Sequence, residues 1–295
     1  MNYTQDLINP EIISYFKKHN LDRFLTLTEK ENMEFKYKYT NINFAVDPNN
    51  KIPYPPDIPD LVRIHKLIRS RKCFTILEFG IGYSTLVMAD ALLQNKKDYY
   101  DRCNQLRNED EDKDESNWIF NIRCNNPFEI HSVDASQFWV DKFKSKLEQY
   151  PKLSSIINLH YSEVHIGTFN YRICHYYEEL PDIVPDFIYL DGPAATDCKG
   201  DINGLSFTCL DRTVMSADIL AMEPILIPGT FILIDGRTNN ARFLKNNFQR
   251  NFKYHFNKKE DINTFELIEE PIGKYNENKL KYCLNSKVCL NYKVY

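Results

Sequence analysis

No two cysteines in this chain are spaced C-x-x-C. The eight stand at Cys73, Cys103, Cys124, Cys174, Cys198, Cys209, Cys283 and Cys289, and without paired spacing a zinc site has little support. An even count would suit disulfides, but a chain of 295 residues does not need them. The first ten residues lack a basic stretch followed by an apolar one, so a leader is not expected and the chain reads as cytoplasmic with free thiols. No apolar run approaches membrane-spanning length, which predicts no membrane partner. Basic charge is missing too: the formal net charge is -4, with lysine and arginine scattered apart from clusters such as Arg69, Arg71 and Lys72. No nucleic-acid partner is expected from such a field. Internal repeats are absent.

What is present is a core. Hydrophobic residues make up 43% of the chain, enough for one large domain or one domain with additions. The most informative stretch is an apolar run, Phe74, Thr75, Ile76 and Leu77, that reaches Glu78, Phe79, Gly80, Ile81 and Gly82. A helical pattern with apolar Leu86, Val87 and Ala89 follows almost at once. This predicts a buried strand, a tight glycine turn and a helix N-terminus. Glycines there let backbone approach a ligand, and free amides at a helix start favour negative charge. An ordinary strand-to-helix turn has the same local pattern.

Residues 1–58 are a polar, aromatic N-terminal extension. Asn9 and Pro10 predict a short helix with proline near its start. Residues 34–46 alternate weakly, as a strand does, and the prolines at 53, 55 and 56 force an extended run. The extension reads either as a lid over the cleft or as a structural addition. The main domain is predicted over 59–268. Asp57 or Pro59 opens a helix with Leu61, Ile64, Leu67 and Ile68 on one face, and a second helix is expected over 84–94. Residues 96–127 read as an insertion whose charged centre, 107–115, is a solvated loop. A strand at 128–134 ends in Asp134, and a helix with apolar Phe138, Val140, Phe143 and Leu147 follows. A third strand is expected within 155–164, then a turn at Gly167 and a hairpin strand over 171–177. A buried strand ends in Asp191, Gly192 and Pro193. Residues 194–213 read as a loop over the strand ends and 214–226 as a helix, broken at Pro228 and Gly229. The strand at 230–236 carries Asp235, a helix spans 239–252 with Arg242, Lys245 and Arg250, and antiparallel edge strands fall in 253–268. The polar tail, 269–295, has no assigned element.

Alternating strands and helices predict an α/β fold: a doubly wound, mostly parallel sheet with helices on both faces and an antiparallel edge. Glu78, Asp134, Asp191 and Asp235 each end a strand, so four acids are expected along one binding rim. Strand-end acids also serve as helix N-caps. A nicotinamide dinucleotide is one candidate ligand. However, Thr85 stands where its Gly-x-Gly-x-x-Gly fingerprint needs a third glycine; Asp134 is also much further along the chain than the expected acid, which the insertion explains.

The ordered set of motifs resembles the class I S-adenosylmethionine-dependent methyltransferases, which are Rossmann-like. Glu78, Gly80 and Gly82 resemble their acid-x-Gly-x-Gly motif, and Asp134 their ribose-binding acid. Asp191 and Asp235 fall where that family places its fourth- and fifth-strand motifs. The resemblance covers about residues 59–268. It implies that the Gly80–Gly82 turn, with Tyr83, Ser84 and Thr85, faces the methionine portion of the cofactor. Glu78 would hold the ammonium directly or through water, Asp134 the ribose hydroxyls, and Ala135 and Ser136 would lie along the adenosine. Ser162 or Glu163 is a weaker candidate for the adenine edge. The acids left for catalysis are Asp191 and Asp235. They would act as a base or hold Mg²⁺, although the family's metal-dependent members carry a further Asp or Asn where this chain has Gly236. His175 is a further candidate base, or a strand histidine bonded to backbone. Arg212, Arg237 and Arg242 would bind an anionic substrate or pair with nearby acids. The implied reaction is O-methylation of a small molecule or glycan hydroxyl. A nicotinamide oxidoreductase and a non-catalytic adenosyl-binding module are the alternatives.

Overall fold

The computed structural model describes residues 6–7, 9–31, 35–36, 56–108, 118–209 and 214–284. Strand β1 (Asp6–Leu7) pairs antiparallel with β2 (Phe35–Lys36), and helices α1 (Pro10–Lys18) and α2 (Leu27–Glu31) run between them. The α1 start follows from its sequence. The Asn9 side chain accepts from the Glu11 N–H at 2.9 Å, and Pro10 fills a position that needs no amide donor. The remainder of the strand expected in 34–46 lies outside the described residues, as does most of the proline run. Ile13, Phe16, Leu21 and Phe24 are buried in the main core, so this part of the extension is integral to the domain.

Helix α3 (Ile58–Arg71) is capped by Asp57, which accepts from the Asp60 N–H, and it buries Leu61, Ile64 and Ile68. It leads into β3 (Thr75–Phe79), buried at every position. Helix α4 (Tyr83–Asn108) is longer than expected and takes in the first part of the predicted insertion. The reason is tertiary. Arg69 bonds Asn95 and Asp98, Asn95 donates to the Ile68 and Cys73 carbonyls, and Cys103 and Leu106 are buried. Most of the charged block, 109–117, lies outside the described residues.

The chain continues through β4 (Glu129–Asp134), α5 (Gln137–Leu147), α6 (Pro151–Ser154) and β5 (Ile157–Tyr161). Next comes an antiparallel hairpin, β6 (Val164–Phe169) and β7 (Arg172–Tyr177). Its turn is at Asn170 and Tyr171, both at positive φ, and not at Gly167. Gly167 sits within β6, where a Cβ would touch the Tyr176 ring at 3.4 Å. After β8 (Phe187–Leu190) and the two-residue β9 (Cys198–Lys199), the helix expected over 214–226 is only α7 (Asp218–Met222). Residues 214–217 instead run beside β7, with His175 donating to the Met215 carbonyl and accepting from the Ala217 N–H. Strand β10 (Phe231–Asp235), helix α8 (Thr238–Lys245) and strands β11 (Phe252–Asn257) and β12 (Ile262–Leu267) complete the domain. Arg250 lies beyond α8 and pairs with Glu269. Helix α9 (Gly273–Leu284) brings order to the tail: Lys279 pairs at 2.9 Å with buried Asp186, which also accepts from the Phe74 and Thr75 amides.

The seven-stranded sheet has the order β11-β12-β10-β8-β3-β4-β5. The five strands from β10 to β5 are parallel, and β12 and β11 add the antiparallel edge. Each face has its own hydrophobic cluster. One contains α3 and α4 with Ile76, and the other contains the hairpin, α7 and α8 with Leu77 and Phe79. This is the expected doubly wound, Rossmann-like sheet. From β3 the chain moves outward through β4 to β5, then returns to β8 on the far side of β3. The switch point, where such sheets bind ligands, is therefore between the ends of β3 and β8. No described helix is long and apolar enough to cross a membrane, and no disulfide joins the seven described cysteines.

Candidate functional site at the strand ends

Strand β3 ends in a turn that glycine makes feasible. Gly80 has φ +103° and donates to the Val133 carbonyl at 2.8 Å. Its neighbour across the switch point is Gly192, which follows β8. A Cβ on Gly80 would lie 3.2 Å from the Gly192 nitrogen. Gly82 differs, because the nearest atom a Cβ would meet is Ser84 Oγ at 3.9 Å. The turn is thus closed by backbone at Gly80 and open at Gly82.

Glu78 is not on the rim. It is the fourth residue of β3, 0% exposed, and paired in register with Ser132 and Tyr189. Its carboxylate accepts from Ser84 Oγ at 2.6 Å, Thr85 Oγ1 at 2.7 Å and Ser132 Oγ at 2.5 Å. Burial raises its pKa to about 7 against the pull of these three hydroxyls. Glu78 therefore organises the turn from beneath, and the expected rim of four acids has three. Thr85, which stands where a dinucleotide fingerprint has glycine, also accepts from the Gly82 N–H at 3.1 Å.

Asp134 does reach the rim. Its two oxygens accept from the Ile81 N–H at 3.0 Å and the Ser136 N–H at 2.8 Å, tying the end of β4 to the glycine turn. The side chain is partly exposed, and each oxygen keeps lone-pair capacity beyond its one amide bond. Burial pushes its pKa up to about 6, opposed by those two amides. Ala135 is half-buried beside it. Ser136 starts α5 but its hydroxyl makes no capping bond, so it too is available to a ligand. Tyr83 is directed away, donating to Glu29 at 2.9 Å under the Lys146 ammonium, 4.0 Å from its ring centroid. This contact brings the N-terminal extension to the first turn of α4.

Asp191 and Asp235 end neighbouring strands. Asp191 has 56% of its side chain exposed. Partial desolvation by the surrounding cleft raises its pKa, against the pull of Arg237, and Asp60 adds to the rise. Arg237 Nε lies 3.8 Å from Asp191 Oδ1, and the same guanidinium donates to the Asp191 and Pro193 carbonyls. Asp235 accepts from the Tyr189 hydroxyl at 3.3 Å. It lies near Asp60 at the start of α3; burial raises both pKa values, with the Asp235 charge adding to the rise of Asp60 and the Asp191 charge to that of Asp235. Asp60 and Arg237 close the rim, and only the crossing of α3 over the sheet reveals the first.

The other candidates separate. His175 is fully buried on β7, with both ring nitrogens lacking a partner among the described residues. Ser162 accepts from the Glu179 amide, and Glu163 pairs with Lys199 at 2.6 Å. Arg242 is exposed and Arg212 lies outside the described residues. Among the described residues, the group of ligand atoms close enough for a metal is Glu163, His165 and Glu178, not the strand-end acids.

No protein-family model matches the chain, and no curated protein matches it. Similar solved structures include the SAH-bound methyltransferase PaMTH1 of Podospora anserina, at 11% identity over 90% of this chain and 91% of that one, TM-score 0.43. Another is the SAM complex of the O-methyltransferase TomG of Streptomyces achromogenes, at 11% over 84% and 98%, TM-score 0.39. A third is an SAH complex of an O-methyltransferase of Bacillus cereus, at 13% over 88% and 100%, TM-score 0.36.

Proposed function

We propose that the chain is a class I S-adenosylmethionine-dependent methyltransferase that modifies a hydroxyl of a small molecule or sugar. The observation that carries this reading is Asp134. It is a half-buried acid at the end of β4, beside β3, held by the Ile81 and Ser136 amides with lone pairs to spare, and it stands next to a turn open at Gly82. A ribose diol is the natural partner for such a carboxylate. The rim sets Asp191, Asp235 and Asp60 against Arg237 and Arg63, and the excess of acid disfavours a pyrophosphate and with it a nicotinamide dinucleotide. The residues therefore fit S-adenosylmethionine: Asp134 would hold its ribose, Ser136 and Ala135 its adenosine, and the Gly82 side of the turn its methionine portion.

When bound, this cofactor supplies an electrophilic methyl group on a sulfonium. The work of the chain is to align a hydroxyl and exclude water, and orientation alone is worth ~7–11 kcal/mol. Asp191 is exposed at the strand ends, so its carboxylate is placed to accept the proton of a hydroxyl. Mg²⁺ fits this site poorly. Gly236 supplies no ligand, and the Arg237 guanidinium already stands beside Asp191 as its cation. Calorimetric titration with S-adenosylmethionine, S-adenosylhomocysteine and NAD tests the reading. The first two should bind and NAD should not. Binding of NAD alone would replace it with an oxidoreductase.

A further inference from the structure

Two side chains on the hairpin are out of keeping with the rest of the interior. His175 and Tyr177 are 0% and 5% exposed. Neither imidazole nitrogen nor the phenol oxygen has a hydrogen-bond partner among the described residues. An unmade bond at a buried polar group costs roughly 1–3 kcal/mol, and such groups are rare enough to need a cause. Their polar neighbours are satisfied. Asp218 accepts from the Tyr177 N–H at 3.0 Å and from Ser216 Oγ at 2.9 Å, and Asn240 brackets Ser216. The backbone is locked as well, since His175 bonds residues 215 and 217 on both sides.

We propose that His175 and Tyr177 form an internal binding site for an uncharged molecule carrying a hydroxyl on a largely apolar body. The two residues are i and i+2 on one strand, so they face the same way. That face looks onto the C-terminal half of β3, where the Tyr177 ring lies 5.5 Å from Phe79, the residue before Gly80. Tyr177 is also close enough to Asp134 and Arg237 for both charges to bear on its ionisation.

The chemistry narrows the ligand. Burial, helped by Arg237, lowers the His175 pKa to about 3, so the ring is neutral and offers one donor and one acceptor. The phenol remains protonated, since burial raises its pKa far above the ordinary value. A hydroxyl can donate to the imidazole and accept from the phenol. An anion finds no free cation here, because Arg237 is directed at Asp191 and Pro193. A polyol would leave most of its hydroxyls unpaired among Phe79, Phe207 and the aliphatic cluster. Phe207 meets the imidazole edge-on, with ring centroids 5.9 Å apart.

The full chain and its Tyr177→Phe and His175→Leu variants provide the test. Thermal unfolding is measured without ligand, and S-adenosylhomocysteine binding by calorimetry. Binding of phenol, benzyl alcohol, benzoate and phenyl phosphate is followed on the histidine ring nitrogen resonances. Tyr177→Phe should melt at or above the wild-type temperature, since no bond is lost, and should keep S-adenosylhomocysteine affinity within about twofold. The two uncharged probes should bind wild type and bind Tyr177→Phe at least tenfold more weakly. A fall in melting temperature of several degrees would show the hydroxyl already satisfied by internal water and overturn the site. Preference for the anionic probes, or no binding of the uncharged ones, would do the same. If His175→Leu fails to fold, the Tyr177→Phe and probe results still decide. Loss of S-adenosylhomocysteine binding in wild type would instead remove the methyltransferase reading while leaving the probe result standing.

Discussion

A Cβ placed on Gly192 would stand 2.7 Å from the Gly80 nitrogen and 2.9 Å from its Cα. The turns that leave β3 and β8 therefore touch backbone to backbone at the switch point. Both glycines are required by the packing of the chain on itself, before any ligand is considered. Gly192→Ala should lower stability by ~1–3 kcal/mol, the range for overpacking, with the loss read by urea denaturation. Gly82→Ala, facing open space, should fold normally yet weaken S-adenosylhomocysteine binding. Equal folding of both variants would contradict the contact.

Asp134 should dominate cofactor affinity. Asp134→Ala is expected to weaken S-adenosylhomocysteine by ~1.5–3 kcal/mol, the range for a hydrogen bond to a charged group. Because a diol donates to the ionised carboxylate, affinity in wild type should fall as pH drops below about 6, where Asp134 takes up its proton. Calorimetry across pH 5 to 8 checks both, and a flat profile with an unaffected variant would remove Asp134 from the site.

Asp191 and Asp235 should not be equivalent. Asp191→Asn is expected to lower turnover ~10²–10⁴-fold, the range for loss of a general base, while cofactor affinity is nearly unchanged. Asp235→Asn should cost much less, and a chelator should leave the rate unaltered. A chelated enzyme revived by Mg²⁺ would show that the two acids share an ion despite Arg237.

Glu78 makes stability depend on pH in an unusual direction. Its folded pKa, about 7, lies above the ordinary ~4.3. The folded state thus binds the proton more tightly than the unfolded state. The associated stability is complete below ~4.3 and is lost as pH rises through about 7, by ~3 kcal/mol in total. Asp218, also raised to about 7 by burial, has the same sign. Glu78→Gln cannot ionise, so its stability relative to wild type should improve by ~2–3 kcal/mol between pH 5 and pH 8. Parallel denaturation curves at the two values would refute the assignment.

The tail is structural. Lys279→Met leaves Asp186 buried with its positive partner removed, a loss expected to cost ~3–5 kcal/mol. The variant should retain the fold in a melting experiment, at a much lower midpoint.

The alternation of β-branched runs with helical patterns determined the sheet, its antiparallel edge and the positions of Asp134, Asp191 and Asp235, because hydrophobic periodicity is local and each strand carries it alone. The helix starts at Asn9-Pro10 and at Asp57 were equally legible. Tertiary structure decided what depends on partners far along the chain. Register across β3 and β4 turned Glu78 inward onto Ser132. Packing against α3 carried α4 past its expected end, and a two-residue turn moved the hairpin bend from Gly167 to Asn170 and Tyr171. The approach of Gly192 to Gly80, the hold of Arg237 on Asp191 and the burial of His175 beside Tyr177 have no periodic signature. They arise where separate segments meet, and only the folded chain brings those segments together.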